Sequence, residues 1–305
     1  MQSDTRDVTD DEVGGDSRVE DDDGVGGGRD SLLDNRRSFV MSKTVRKKKT
    51  KEAGWVVGIL TMPHAPGRSH IMRSYVSWLE AEGVIVVPVP YDTEEVELYY
   101  QVIHGLVIPG GDTEYVFQKE PAMLRTVQRF LELAMRPGEH FPIWSVCLGY
   151  EMVVSLVGGI KNLERIEDQT PRRLEWTEEG RRSQMYKGLG SAAEEETEQN
   201  HLFGISPERF LGNKQLRRVF SLMATARNEK GKEYVCIVRA KKWPVFGVMF
   251  HPERQANRRA FARVFLAEVR QSRHPRGLVK GFSWGKSGAC RQYPELAGEQ
   301  CYFFE

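Results

Sequence analysis

The chain has 305 residues, 40% of them hydrophobic and 29% charged, and its 44 basic residues nearly balance 43 acidic ones. That composition suits a soluble globular chain with ample material for a core, and a net charge of +1 predicts no general attraction to nucleic acid or to an anionic membrane. The four cysteines, Cys147, Cys236, Cys290 and Cys301, are too few for a dense disulfide framework. No Cys-x-x-Cys or ligand-spaced histidine pattern predicts a metal, and no apolar run approaches the roughly 20 residues of a membrane span.

Residues 1–34 are acidic and carry a Gly-rich tract at 24–28. They lack the apolar run of about 7–15 residues that a secretory signal needs. Arg46, Lys47, Lys48, Lys49 and Lys51 then form a basic cluster, readable as a solvated tail, a nuclear signal or an anionic-surface patch. The segment 1–53 is predicted to be a disordered tail that cannot offset its ordering entropy, and to be dispensable for catalysis. A cytoplasmic chain is expected from this start, and a start at Met41 would supply no signal either.

From residue 54 the pattern is that of one domain reaching to 305. Residues 55–62 predict a buried strand and 63–68 a turn-rich loop. Residues 71–81 predict an amphipathic helix with Ile71, Tyr75, Trp78 and Leu79 on one face. A strand at 84–89 follows, and this strand–helix–strand unit predicts a right-handed parallel crossover. A short helix is expected at 91–100, and a strand from Leu106 runs into the turn Pro109-Gly110-Gly111-Asp112. Residues 120–135 predict a helix with Met123, Leu124, Val127, Phe130, Leu131 and Ala134 inward. A short strand at 143–146 ends at Cys147, and 148–156 suit a helix.

Periodicity is poor from 161 to 200, where Arg172, Arg173, Arg181 and Arg182 could meet carboxylates of a ligand or merely lie in a solvated loop. Strands are expected at 216–225, with a helical alternative, and at 234–238. An apolar strand at 244–250 ends in His251-Pro252-Glu253, and 257–269 predict an amphipathic helix. The segment 272–297 reads as an extended tail packed on the domain, closed by Tyr302, Phe303 and Phe304. The alternation predicts an α/β fold, a doubly wound and mostly parallel central sheet with helices on both faces, with its site at the carboxyl ends of the strands.

Three such strand ends carry chemistry. A cysteine at a strand-to-helix turn is the thiol form of a nucleophile elbow, and the helix N-terminus behind Cys147 is expected to favour the thiolate. Gly149 lets backbone pass close by. His251 is the candidate base, and Glu253 can hold its imidazole in the required tautomer. Backbone N–H groups of Gly111 and Leu148 are the candidate oxyanion donors. Taken singly these are a small buried hydrophobe, a loop and a turn; together, in this order, they predict a cysteine-dependent acyl-transfer site.

These residues resemble the class I glutamine amidotransferase-like superfamily, and within it the γ-glutamyl hydrolases, which are cysteine peptidases acting on folate poly-γ-glutamates. The likeness extends to Ser74-Tyr75-Val76-Ser77-Trp78-Leu79-Glu80, to Gln199-Asn200-His201 and to the C-terminal stretch 299–305. The resemblance implies a flavodoxin-like fold, no cofactor, a thioester on Cys147, and substrate-binding roles for Glu151 and His201. Amidotransferases typically carry glutamine where Glu151 stands. Ser145 stands where such elbows often have glycine, and His70 where a tyrosine is expected. The leading expectation is hydrolysis of γ-glutamyl bonds in a small-molecule substrate, with homodimerisation open. The competing ones are a glutaminase domain feeding ammonia to a synthase, and a non-catalytic binding module.

Overall fold

The computed structural model describes residues 54–65, 67–276, 284–289 and 299–305; the expected tail at 1–53, the basic cluster within it and Cys290 lie outside the described residues. The five residues of β1 (Val56–Leu60) are all buried, as a strand covered on both faces requires. The loop expected at 63–68 is instead a hairpin of β2 (Met62–Ala65) and β3 (Arg68–Met72). Ile71 therefore belongs to β3, and helix α1 (Arg73–Glu80) starts two residues later than its periodicity suggested.

The next stretch follows the predicted alternation, through β4 (Ile85–Val89), α2 (Val96–Val102) and β5 (Gly105–Ile108). Helix α3 (Thr113–Lys119) was not expected. Its signal is Asp112, whose carboxylate accepts the Tyr115 N–H at 2.9 Å as an N-cap. Helix α4 (Pro121–Ala134) starts on a proline suited to a first turn, and it buries Met123, Val127, Phe130, Leu131 and Ala134 as predicted, while Leu124 is only partly buried. Strand β6 (Ile143–Val146) and helix α5 (Leu148–Gly158) then flank Cys147.

Residues 159–219 are made of short pieces. They are β7 (Glu164–Asp168), β8 (Arg172–Arg173), β9 (Glu175–Trp176), α6 (Glu178–Arg182) and α7 (Gln184–Leu189). After them come β10 (Glu196–Thr197), β11 (His201–Gly204), α8 (Pro207–Gly212) and α9 (Lys214–Val219). The strand expected at 216–225 is thus divided, because the Asn213 side chain caps α9 and β12 (Phe220–Arg227) begins only afterwards. Strands β13 (Glu233–Ala240) and β14 (Val245–Val248) and helix α10 (Arg258–Val269) match expectation within a few residues.

The main sheet has eight strands in the order β4-β1-β5-β6-β14-β13-β12-β9. The run from β4 to β14 is parallel, and β13, β12 and β9 extend it antiparallel. The crossover from β1 to β4 runs opposite in direction to those from β4 to β5 and from β5 to β6, so right-handed connections put α1 on one face and α2, α4 and α5 on the other. The reversal of strand order falls beside β1, and β5, β6 and β14 present their carboxyl ends side by side. That is the doubly wound sheet the alternation predicts.

The C-terminus returns to the start. Strands β15 (Lys286–Ala289) and β16 (Gln300–Phe304) form a four-stranded sheet with the hairpin, in the order β15-β16-β3-β2. Glu299 accepts the Ser74 N–H at 3.0 Å, supplying the α1 N-terminus with a cap that its own N-cap residue, Met72, does not provide. Cys301 is disulfide-bonded, while Cys147 and Cys236 are free. Among the described residues no helix is long and apolar enough to cross a membrane, and no group of three or more His, Cys, Asp or Glu side chains could hold a metal ion.

Candidate active site

Cys147 has φ 50° and ψ −109°, the only positive φ outside glycine among the described residues. A non-glycine residue there costs on the order of 1–3 kcal/mol, so its surroundings must impose it. They do so from both sides. The Cys147 N–H donates to the Val248 carbonyl at 2.9 Å, and α5 starts at once, with the Glu151 N–H donating to the Cys147 carbonyl at 2.9 Å. An ideal Cβ on Gly149 would lie 2.3 Å from the Ile108 carbonyl oxygen. Only glycine lets α5 approach β5 that closely. Ser145 fits the strand because its hydroxyl donates to the Phe246 carbonyl at 2.7 Å, and Gly247 opposite leaves room for it.

Gly110 reports how the strand ends converge. A Cβ placed on it would lie 2.7 Å from His251 Cε1, 3.2 Å from Cys147 Cβ and 3.4 Å from Tyr75 Oη. Cys147 and His251, 104 positions apart in sequence, thus pack around one α-carbon. His251 Nδ1 lies 2.9 Å from Glu253 Oε1, while its Nε2 has no hydrogen-bond partner. Gly111, the next residue, packs on Leu148, whose Cδ2 would be 3.1 Å from a Cβ there. The two residues predicted to bind an oxyanion are therefore neighbours at the elbow.

The electrostatics differ from expectation in one respect. Burial pushes the Cys147 thiol up, and the Glu151 carboxyl adds to this. Burial lowers His251, and the Arg254 cation does so further. Both shifts favour the uncharged thiol and imidazole, so desolvation acts against the thiolate expected from the helix N-terminus. For Glu253, burial pulls upward, but the His251 and Arg254 partners prevail and hold the carboxylate below its ordinary value. Glu151 is the opposite case. It is fully buried, Thr113 donates to its Oε2, its Oε1 has no partner, and burial raises it to about 8. At neutral pH it is an uncharged acid able to donate as well as accept.

A family model described as Glutamine amidotransferase class-I matches residues 69–267, which contain every one of these side chains. The chain belongs to that family. Its relatives include Gamma-glutamyl hydrolase B of Dictyostelium discoideum, 30% identical over 220 residues, covering 65% of this chain and 62% of that one. Gamma-glutamyl hydrolase of Homo sapiens is 28% identical over 279 residues, covering 78% and 84%. The chain spans less than two thirds of the length of the Dictyostelium relative. A GMP synthase protein from Thermoplasma acidophilum, known from its crystal structure, shares the fold, with a TM-score of 0.51 over 72% of this chain and 95% of that one at 19% identity.

Within this amidotransferase domain, a strap over residues 195–204 covers the thiol. Cys147 Sγ donates to the Asn200 carbonyl at 3.5 Å, and the His251 N–H donates to the Glu198 carbonyl at 2.9 Å. His201 is buried beside Tyr234, with ring centroids 4.8 Å apart. Its Nδ1 meets the Phe203 carbonyl at 2.9 Å, its Nε2 has no partner, and burial lowers it to about 4. Three of the four arginines considered as ligand contacts are engaged by carboxylates of the chain itself, and Arg173 pairs through its backbone with Glu196 of the strap. Arg172 is held by Asp168, Arg181 by Glu194 and Arg182 by Glu178. His70, buried on β3 and lowered to about 4 by burial with His64 adding to it, packs near Phe303. Sequence reasoning gave no role to Thr113, Asn200 or Arg254. Thr113 was within reach, because the Asp112 N-cap signal places it at the first position of α3.

Proposed function

We propose that this chain is a cysteine-dependent hydrolase of γ-glutamyl bonds, with folate poly-γ-glutamates as the substrate class. The observation that carries the reading is the convergence of Cys147, His251 and Gly110, with His251 oriented by Glu253. The names of the γ-glutamyl hydrolase relatives support the choice of bond, and Glu151 in place of glutamine supports hydrolysis over ammonia supply.

With Nδ1–H turned toward Glu253, His251 Nε2 is the acceptor. As Sγ attacks the γ-carbonyl carbon, Nε2 takes the thiol proton, so charge develops only as the bond forms. Glu253 stabilises the imidazolium and does not itself take the proton. The tetrahedral oxyanion is held by the Gly111 and Leu148 N–H groups, each worth on the order of 10²–10³ in rate. His251 returns its proton to the leaving amine, leaving a thioester on Cys147. It then draws a proton from water, whose oxygen attacks the thioester, and the thiolate leaves and is reprotonated. No cofactor enters these steps. In this reading Glu151 and His201, both neutral, bind the glutamyl group by hydrogen bonds.

The test is incubation of the purified chain with pteroyl-polyglutamate and with glutamine, with products resolved by chain length. γ-Glutamyl peptides should exceed glutamine in kcat/KM by at least about a hundredfold, or roughly 2.7 kcal/mol, because glutamine lacks remote binding energy. Cys147→Ala should abolish both. Glutaminase activity without chain cleavage would make this a glutaminase, and inertness to both would favour a binding module.

A further inference from the structure

The Ser74–Glu80 stretch, conspicuous in the sequence, has no part in the mechanism above, yet one of its side chains reaches the site. Tyr75 on α1 is 1% exposed, and its hydroxyl oxygen accepts the Gly110 N–H at 2.9 Å. We propose that Tyr75 is a positioning residue that fixes the Gly110–Gly111 turn, so that the Gly111 N–H faces the oxyanion while Gly110 stays clear of His251. The proposal rests on the hydrolase reading.

Two glycines in succession make the most pliable dipeptide a chain can offer, so this turn has no side chain of its own to hold it. Gly110 is buried, and a buried N–H without an acceptor costs about 1–3 kcal/mol. Without Oη the peptide would rotate in search of another acceptor. Rotation is not free to choose its direction, because the space beside the Gly110 α-carbon is filled by the His251 ring and Cys147 Cβ, which a Cβ there would meet at 2.7 and 3.2 Å. Any adjustment moves the Gly111 N–H, the imidazole or both. Tyr75 also settles which amide is available: the Gly110 N–H is engaged, and Gly111 is left as the donor on this side of the thiol.

The hydroxyl acts as a dipole and not as an acid or base. Burial raises the phenol well above its ordinary value, and the Glu253 carboxylate adds to this. Its oxygen is already occupied by an N–H. Proton transfer is the work of His251 Nε2, which has no partner.

Tyr75→Phe keeps the ring in its core position and removes only Oη. Its kcat on a γ-glutamyl peptide should fall about tenfold or more, with KM changed less than about threefold, since the lost interaction matters most in the transition state. Affinity for a γ-glutamyl aldehyde, which forms an oxyanion-bearing adduct on Cys147, should fall in parallel, whereas affinity for an uncleaved γ-glutamyl ligand should not. In the wild type, the Gly110 amide should exchange with solvent deuterium far more slowly than the amides of an exposed turn such as residues 229–231. Should Tyr75→Phe fail to fold, that exchange measurement decides alone. An unchanged kcat, a loss confined to thermal stability, or a freely exchanging Gly110 amide would overturn the proposal by itself. A wild type inert toward γ-glutamyl peptides would instead overturn the hydrolase reading, and this proposal with it.

Discussion

Cys147 lies between two walls of opposite construction. Behind it stand β5, β6 and β14, apolar strands paired in parallel, with α5 pressed so closely on β5 that only glycine fits at position 149. In front lies the strap at 195–204. Its strand β10 is two residues long and pairs with the two residues of β8, while its far end, β11, pairs with β7. One exposed hydrogen bond, from Asn257 Nδ2 to Glu195 Oε2 at 3.0 Å, ties its start to the loop before α10. Rigid elements hold reacting groups to a fraction of an ångström, whereas segments with few apolar contacts open at low free energy. With Cys147 4% and His251 3% exposed, reagent access to Sγ is expected to depend on the strap and not on the back wall.

The strongest way to break this comparison is to disturb the fixed wall at its charged end. Glu253→Gln should lower kcat on γ-glutamyl peptides by about 10²–10⁴, because the glutamine amide can hold the wrong tautomer of His251 and cannot stabilise its cation. Steady-state hydrolysis checks this. A loss below tenfold would show that the Glu253 contact at 2.9 Å has no role in orienting the base.

Glu151 tests the same wall through pH. Its folded value of about 8 lies above its ordinary 4.5, so below pH 4.5 both folded and unfolded chains hold the proton and no penalty exists. Between 4.5 and 8 the unfolded chain sheds the proton and the folded one keeps it. Stability then falls as pH rises, by up to about 1.4 kcal/mol per unit, and the penalty is complete above 8. Glu151→Gln removes the titration, so its stability relative to the wild type should grow steadily from pH 5 to 8 in denaturant melts. A constant difference across that range would place Glu151 in contact with water.

Gly149→Ala should destabilise the fold by about 1–3 kcal/mol, since the new Cβ meets backbone that cannot swing aside. Chemical denaturation measures it, and a neutral substitution would mean that the elbow is looser than the parallel ladder implies. The smallest effect is expected at the strap. Asn257→Ala should leave stability within about 0.5 kcal/mol. It should speed iodoacetamide labelling of Cys147 a few-fold, while Cys236, wholly buried on β13, stays unlabelled. Equal labelling rates would show that this tether does not govern access.

Sequence alone determined the sheet and the ends of its strands. β1, β5, β6 and β14 are short apolar runs buried on both faces, and α4 and α10 repeat their apolar residues at helical spacing, so local pattern and final environment agree. The cysteine, histidine, glutamate and Gly-Gly turn were legible because each sits where such a strand stops. Tertiary structure alone decided what closes over them and how they ionise. The Asn200 carbonyl comes to Cys147 across 53 positions, Thr113 to Glu151 across 38, Tyr75 to Gly110 across 35, and Glu299 to Ser74 across 225. None of these pairings leaves a period in the sequence, because a single long-range hydrogen bond constrains two residues and not a repeating face. The shift of Cys147 toward the neutral thiol has the same origin. A helix N-terminus can be read locally, but the desolvation that acts against it exists only once the strap and the sheet are both in place.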